Sequence, residues 1–526
     1  MRSFFLFLSV LAFAASYAQR KVTFKQADEL KGAIKDGQQF NRLLGNVIMV
    51  QGNTTIYCDS AHLYGSMNSA EAFGHVRITD GDSVTITAAT LEYSGNERRA
   101  KLRNNVVFTK LATATLHTDY LDYDRPRSMA YYYNGGKLVD SINVLTSQKG
   151  YYNVNSNLAA FKKNVEVNNP DYTMYADSLQ YNSRSKIIYF VSQTTLIDKD
   201  SSSFTYDAGQ YDTRTKSSDL RSGFVETRSY TIKGKSYALD DINKRYKIKG
   251  DVVINYKEEE LTVYGQSSIY DRAKRIAKIY DNAFVAKRTD EGDTLFIRAD
   301  TLVSIDSDDD SKKRLLAYNN VKVFKQDMQA ISDSLEYRSA DSTIYFYGDP
   351  VLWNGENQMT ADSIRMLIEN QTISKVFLNV NSFVISQDTL LNYNQIKGRR
   401  MVAEFGGNEL RRVLVEGNGE TLYFAIDEKT KEFMGMNKML CSNIIIRFQE
   451  GKVNNLSFYI KPEAKFIPPH ELQEEDKRLD EFTWRQEVRP QREDVVGKVE
   501  VVEQARPDGI DVPAPEKTNP RKRKSN

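Results

Sequence analysis

The chain has 526 residues, and its 72 basic and 70 acidic side chains leave a net charge of only +2, so no global field directs it to nucleic acid. That length exceeds the usual ceiling for one compact core, which leaves several domains or an elongated repeat array. Its two cysteines, Cys58 and Cys441, are far apart in strand-like runs and read as small buried apolar residues rather than a disulfide framework.

In chain order, the first element is residues 1–18, with one positive charge at Arg2, an apolar stretch from Phe4 to Ala15, and small residues at Ser16 and Ala18 before Gln19. This is the pattern of a secretory signal peptide. The stretch is shorter than the roughly 18–20 residues that cross a bilayer as a helix, so cleavage after Ala18 is expected to release a soluble, exported chain. No cysteine sits just after the cleavage point, and no lipid anchor on a cysteine is expected there.

The next feature is a repeat. Ile56 to Tyr64 (IYCDSAHLY), Thr115 to Tyr123 (TLHTDYLDY), Thr173 to Tyr181 (TMYADSLQY), Ile297 to Ser304 (IRADTLVS), Ala330 to Tyr337 (AISDSLEY) and Met359 to Met366 (MTADSIRM) read alike. Aligned on the acidic position, the series runs Asp59, Ala89, Asp119, Lys149, Asp177, Asp207, Tyr237, Gln266, Asp300, Asp333 and Asp362, with steps of 28 to 34 residues. Within a copy, Met174 and Ala176 alternate as in a half-buried strand, Asp177 and Ser178 intervene, and Leu179 and Tyr181 resume the alternation with its parity slipped by one. A bulge or bend absorbs one residue in this way and keeps the apolar face inward. A polar turn such as Asn182 to Lys186 comes next, then a second strand often led by Asn-Val, as in Asn104 to Phe108 or Lys163 to Val167. Each unit is therefore at least two antiparallel strands joined by hairpin chemistry, and stacked units share one apolar interior.

Proline marks the end of the repeat. Only Pro126, Pro170 and Pro350 precede residue 461, and the other eight of the 11 lie beyond it, so the strand region is expected to end near Ile460. Residues 461–526 read as a charged, proline-rich tail. Glu471 to Arg485 can form one short helix carrying Leu472, Leu479, Phe482 and Trp484; the remainder of the tail reads as disordered, ending in the basic run Arg521 to Lys524.

The repeated aspartates would stack in a ladder, but Ala89, Lys149, Tyr237 and Gln266 interrupt it, and a structural role at the bend outweighs metal binding. The run Asp306 to Ser311 lacks the glycine and glutamate of a calcium loop. His62, His75, His117 and His470 show no metal spacing, and no nucleophile elbow or phosphate loop occurs. The expectation is a protein without enzymatic activity, cofactor or metal.

Behind a signal peptide, units of the form A-D-S-L-x-Y, turn, A-x-x-x-N-V-x-V resemble the OstA-like family (organic solvent tolerance protein A), which includes the periplasmic bridge protein of lipopolysaccharide transport. The resemblance covers roughly Val22 to Phe458. It implies an all-β fold, an elongated twisted β-jellyroll array of two or more consecutive jellyroll domains, with regions 19–235 and 236–460. It also implies a periplasmic place, at or near the outer membrane, and an apolar groove for the acyl chains of lipid A. Lipopolysaccharide, other OstA-like domains and end-to-end self-association are the partners it implies. The chain is about three times the length of one jellyroll and carries no series of lipid-facing strands after the repeats, which favours likeness to the bridge over the outer-membrane translocon. Groove candidates are Ile56, Cys58, Ile86, Ala88, Leu91, Leu116, Leu121, Met174, Ala176 and Leu179 in the first half, with Ile297, Leu302, Leu335, Met359 and Ile364 in the second. The alternative is that these residues fill a closed core, in a structural or adhesive envelope protein acting through protein contacts.

Overall fold

The computed structural model describes residues 21–497, apart from 82–83, 111–113, 140–141, 290–291, 371, 407–408, 428 and 450–451. The expected signal peptide and the basic run Arg521 to Lys524 lie outside the described residues. Among the described residues thirty-three strands succeed one another, and helix is confined to single turns. From Gln38–Gln51 onward each full-length strand is antiparallel to those beside it, and where a strand is broken in two, as at Ile187–Phe190 and Thr194–Asp198, both halves pair with the same neighbours. The fold is an elongated, all-β jellyroll array wound as one continuous meander. Tyr230–Asp240, which contains the expected boundary at residue 235, is paired with both neighbours.

Most of the long strands bend near the middle. The ladder slips between Leu44 and Val47, Tyr57 and Ser60, Phe73 and Val76, Thr87 and Thr90, and Arg103 and Val106. At the slip, the returning strand commonly places two successive residues in the left-handed region: Gly74 and His75, Asn104 and Asn105, Lys163 and Asn164, Asn319 and Asn320, Val380 and Asn381. That conformation costs least for glycine and asparagine, which accounts for the Asn-Val lead of the second strand. Asp59 is hydrogen-bonded to His75 Nδ1 at 2.8 Å, and Asp300 and Asp362 accept from the side-chain amides of Asn320 and Asn381 at 2.9 and 3.0 Å. Asp119 accepts the backbone N–H of Asn105 at 3.0 Å. The aspartate is thus a bend-fixing acceptor, chiefly of side-chain N–H groups. A Cβ on Gly74 would stand 2.3 Å from Asp59 Oδ2, so a larger residue there would push the carboxylate aside as well as strain φ. Tyr237, aligned with the aspartates by spacing, instead points inward and is buried. Lys235 takes the bend position there and pairs with Asp251 at 2.6 Å.

The bend folds each strand into two arms that face each other. Ile56 and Cys58 point inward before it, Ala61 and Leu63 after it, which is the parity slip legible in the sequence. One apolar cluster runs between the arms from Val22 to Ile446.

The tail departs from the sequence expectation. Ile460 and Lys461 are both left-handed and form one more bend, with Pro462 outside the ladder, after which Glu463–Ile467 resumes pairing with Phe433–Gln449. Proline at a bend removes no ladder bond, so the strand region continues to Ile467. Glu471 to Arg485 holds only a 3-10 turn at Glu474–Lys477, and the one α-helical turn is Arg492–Val496. Leu479, with Leu472, Phe482 and Trp484 beside it, packs on the outer face of the sheet against Phe383, Ile385, Leu422 and Phe424. The stretch after Arg485, expected to be disordered, is held to that face as far as Val495 and Val496, which pack on Phe284 and Phe296. Buried glutamines grip the strap: Gln358 donates to Thr483 O at 2.7 Å and accepts from Arg485 N at 2.7 Å, while Gln395 donates to Lys477 O and accepts from Leu479 N, both at 2.8 Å.

Candidate functional site

The apolar interior brings the groove candidates together. Ile56, Cys58, Ile86, Ala88, Leu91, Leu116, Leu121, Met174, Leu179, Ile297, Leu302, Leu335, Met359 and Ile364 are all buried members of one cluster, and Ala176 packs against it half-buried. Ile86, Leu121 and Met174 are 0% exposed. They touch other side chains rather than an open slot. Aromatic rings fill the bend: Tyr132 lies where a Cβ on Gly136 or Gly150 would stand, and Tyr206 meets Tyr237 edge-on at 5.2 Å beside Gly223. Burial pushes the Cys58 thiol up to about 11, so it is an inert apolar residue at neutral pH. Among the described residues, no group of three or more His, Cys, Asp or Glu side chains could hold a metal ion.

The two rows of hairpin turns define the mouth of this interior. Gln51 is in register with Thr54, Asp80 and Val84 across three strands, and Val84 is ten residues from Ser94, a span of about 33 Å if extended. Yet Gln51 Nε2 donates to the carbonyl of Gly95 at 2.9 Å, and the Tyr93 hydroxyl donates to Gln51 Oε1. The arms therefore close on each other at their ends. The same closure repeats at fixed offset. Val22 N donates to Asn68 Oδ1 at 2.7 Å; Asp80 accepts from the Tyr123 hydroxyl at 3.0 Å and from Arg125 Nε at 2.8 Å; Lys110 Nζ donates to Val154 O and Asn157 Oδ1 at 2.6 and 2.7 Å. Tyr93 and Tyr123 are consequently buried, and burial pushes the Tyr93 phenol up to about 12.

Beyond Asn157 the mouth changes character. Tyr172, Tyr181, Tyr211 and Tyr256 are half-buried against the cluster, together with Leu196, Phe204, Ile232, Leu239 and Leu261. Tyr172 lies opposite Tyr211, and burial chiefly, with that neighbour, raises its phenol to about 12. Burial likewise raises the Tyr230 phenol, with Tyr270 adding to it, and the Tyr230 ring contacts that of Tyr256 at 6.2 Å. Sequence reasoning misses these rim residues, although the tyrosine closing each A-D-S-L-x-Y copy is a signal for them. The closing contacts of Gln51, Asp80 and Lys110 have no such signal, because they join residues more than forty apart.

Fold and site together define a β-jellyroll array around a continuous apolar interior. Two family models match it: one described as OstA-like protein over residues 19–177, and one described as LptA/(LptD N-terminal domain) LPS transport protein over residues 291–372. The chain is thus similar to OstA-like proteins over these two segments. No curated protein matches it. Among solved structures, LptH from Pseudomonas aeruginosa, described as the LptA homologous periplasmic component of the conserved lipopolysaccharide transport device, matches at 14% identity. That match covers 23% of this chain and 82% of LptH, with a TM-score of 0.20.

Proposed function

We propose that the chain is a periplasmic protein of lipopolysaccharide transport that bridges the inner and outer membranes and shields lipid A acyl chains between the arms of the array. The observation that carries this reading is a single apolar interior continuous through both OstA-like segments. The work is burial without catalysis: each acyl methylene moved from water contributes about 0.8 kcal/mol. Because the interior is filled by its own side chains, the arms must part to admit a lipid.

The array also ends in strands with one neighbour each: Thr23–Gln26 and Glu29–Lys35 at the start, Lys452–Tyr459 and Glu463–Ile467 at the finish. Phe24, Leu30 and Ile34 at one end and Leu456, Tyr459 and Phe466 at the other are exposed. Such edges support strand addition by a second copy or by another OstA-like domain.

A second reading, a closed-core structural protein, draws on the near-zero exposure of the groove candidates. Expression in a host that makes lipopolysaccharide separates the two. Lipid A is expected in the mass spectrum of the purified protein, and photo-crosslinkers at Met174 and Leu179 are expected to label it. Absence of both would leave the closed-core reading.

A further inference from the structure

The turn rows that frame the mouth differ in charge along the chain. In the closed part, turns 64–68, 94–98 and 153–157 carry no net charge and turn 124–128 carries +1; beyond it, turns 182–186, 212–216 and 271–275 carry +2, +1 and +2, and turn 240–244 carries −1. The clearer contrast is at one structural position, occupied by Asn68, Arg98, Ser128 and Asn157 in the closed part and by Lys186, Lys216, Lys244 and Arg275 beyond it. The last residue of each turn is left-handed and offers its carbonyl to the next turn of the row: Asn68 to Gly95, Arg98 to Arg125, Ser128 to Val154, Asn157 to Ser183, Lys186 to Thr213, Lys216 to Asp241, and Lys244 to Arg272. Turns in this row are two strands apart, about 9–10 Å, so Lys186, Lys216 and Lys244 form a row of ammonium groups along one rim. Backbone preference does not select them, since a left-handed lysine costs more than the glycine or asparagine available elsewhere in the row.

The acids in these turns are engaged locally. Asp212 accepts Arg214 N at 2.9 Å, Asp240 accepts Asn243 N at 2.9 Å, and Arg275 is paired with Asp308. None of the ion pairs among the described residues involves Lys186, Lys216 or Lys244. The lysine row coincides with the stretch in which the described cross-mouth hydrogen bonds have ended and half-buried tyrosines line the rim.

We infer that the stretch from Tyr172 to Tyr270 is a binding site for a phosphate-bearing, acylated glycolipid. The Lys186–Lys216–Lys244 row holds the phosphates, and the acyl chains pass between the rim tyrosines into the interior. This rests on the transport reading above and adds the place of entry and the headgroup chemistry. Ammonium groups outside the rim and apolar side chains inside it match the two ends of such an amphiphile. Tyr172, Tyr211 and Tyr230 at the boundary present an apolar ring to one and a hydroxyl to the other. The first part of the mouth, sealed by Gln51, Asp80 and Lys110, does not open.

The test uses the full chain with purified lipopolysaccharide. The triple variant Lys186→Gln/Lys216→Gln/Lys244→Gln removes three charges, together with the contact of Lys186 Nζ over the Tyr181 ring at 5.9 Å, and it is expected to weaken binding by about tenfold or more. The change is expected to vanish when the probe is dephosphorylated lipopolysaccharide. A control that removes three charges elsewhere, Lys25→Gln/Lys31→Gln/Lys35→Gln, is expected to bind as the parent does. Nitration of the unmutated protein, mapped by peptide mass spectrometry, locates entry independently: lipopolysaccharide is expected to protect Tyr211, Tyr230 and Tyr270. Parent-like binding by the triple variant, an equal loss in the control, or unprotected rim tyrosines in a protein that does bind would each overturn the inference while leaving the transport reading intact. Failure of the unmutated protein to bind lipopolysaccharide would overturn the transport reading and this one with it.

Discussion

Replacing Asp80 by alanine removes the most heavily bonded point of the closed mouth. Its carboxylate accepts from Arg125 Nε at 2.8 Å, the Tyr123 hydroxyl at 3.0 Å and Thr54 Oγ1 at 3.4 Å. Hydrogen bonds to a charged partner contribute about 1.5–3 kcal/mol, and stranding the partner of a fully buried ion pair costs about 3–5 kcal/mol. Arg125 and Asp80 retain 18% and 14% side-chain exposure, so water recovers part of the loss. The expected cost is about 3 kcal/mol. In a quasi-one-dimensional array that cost stays near the site, so a global melting temperature is a poor readout. Amide exchange by mass spectrometry is the right one: peptides spanning the turns near Asp80 and Arg125 are expected to exchange about a hundredfold faster, while those beyond Tyr270 stay unchanged. Asp80→Ala/Arg125→Ala should cost less than the sum of the single changes. Strict additivity, or unchanged exchange at both turns, would refute the assignment of these contacts as a closure.

The geometry carries three further expectations. Val380 is β-branched, left-handed and 49% exposed, so Val380→Asn is expected to raise stability by about 1 kcal/mol, read as slower local exchange around the strand Thr372–Gln387. Gln358→Leu removes both bonds that grip the strap at Thr483 and Arg485 and leaves those backbone groups unpaired; a loss of about 1–3 kcal/mol is expected to show as faster proteolysis between Leu472 and Val496. Burial pushes the Tyr93 and Tyr132 phenols up to about 12. A raised folded value means that their contribution is whole below the usual tyrosine range near 10 and fades as pH rises from about 10 to about 12. Spectrophotometric titration is accordingly expected to show an ordinary tyrosine step and then a late one coincident with opening of the array, and a single step would exclude it.

The features legible in the sequence are those that repeat. The thirty-residue step, the parity slip at Asp177 and Ser178, and the Asn-Val lead are local patterns, and each maps onto the bent strand in which Asp59, Asp300 and Asp362 brace a left-handed pair. The inward faces are legible for the same reason, because period-two alternation specifies which side is buried. Three things are not. Lys235 takes the bend position that spacing assigns to Tyr237, since spacing alone cannot detect a two-residue shift of register within a diverged copy. Pro462 reads as the end of the strands, although at a bend a proline costs no hydrogen bond. The third, with most bearing on function, is the boundary between the sealed and the tyrosine-lined parts of the mouth. It depends on which turn of one row meets which turn of the other, as Gln51 meets Gly95 and Lys110 meets Asn157. That offset is set by the cumulative twist of the sheet rather than by any residue, so the lysines at 186, 216 and 244 read as ordinary solvated turn residues until the twist places them beside the opening.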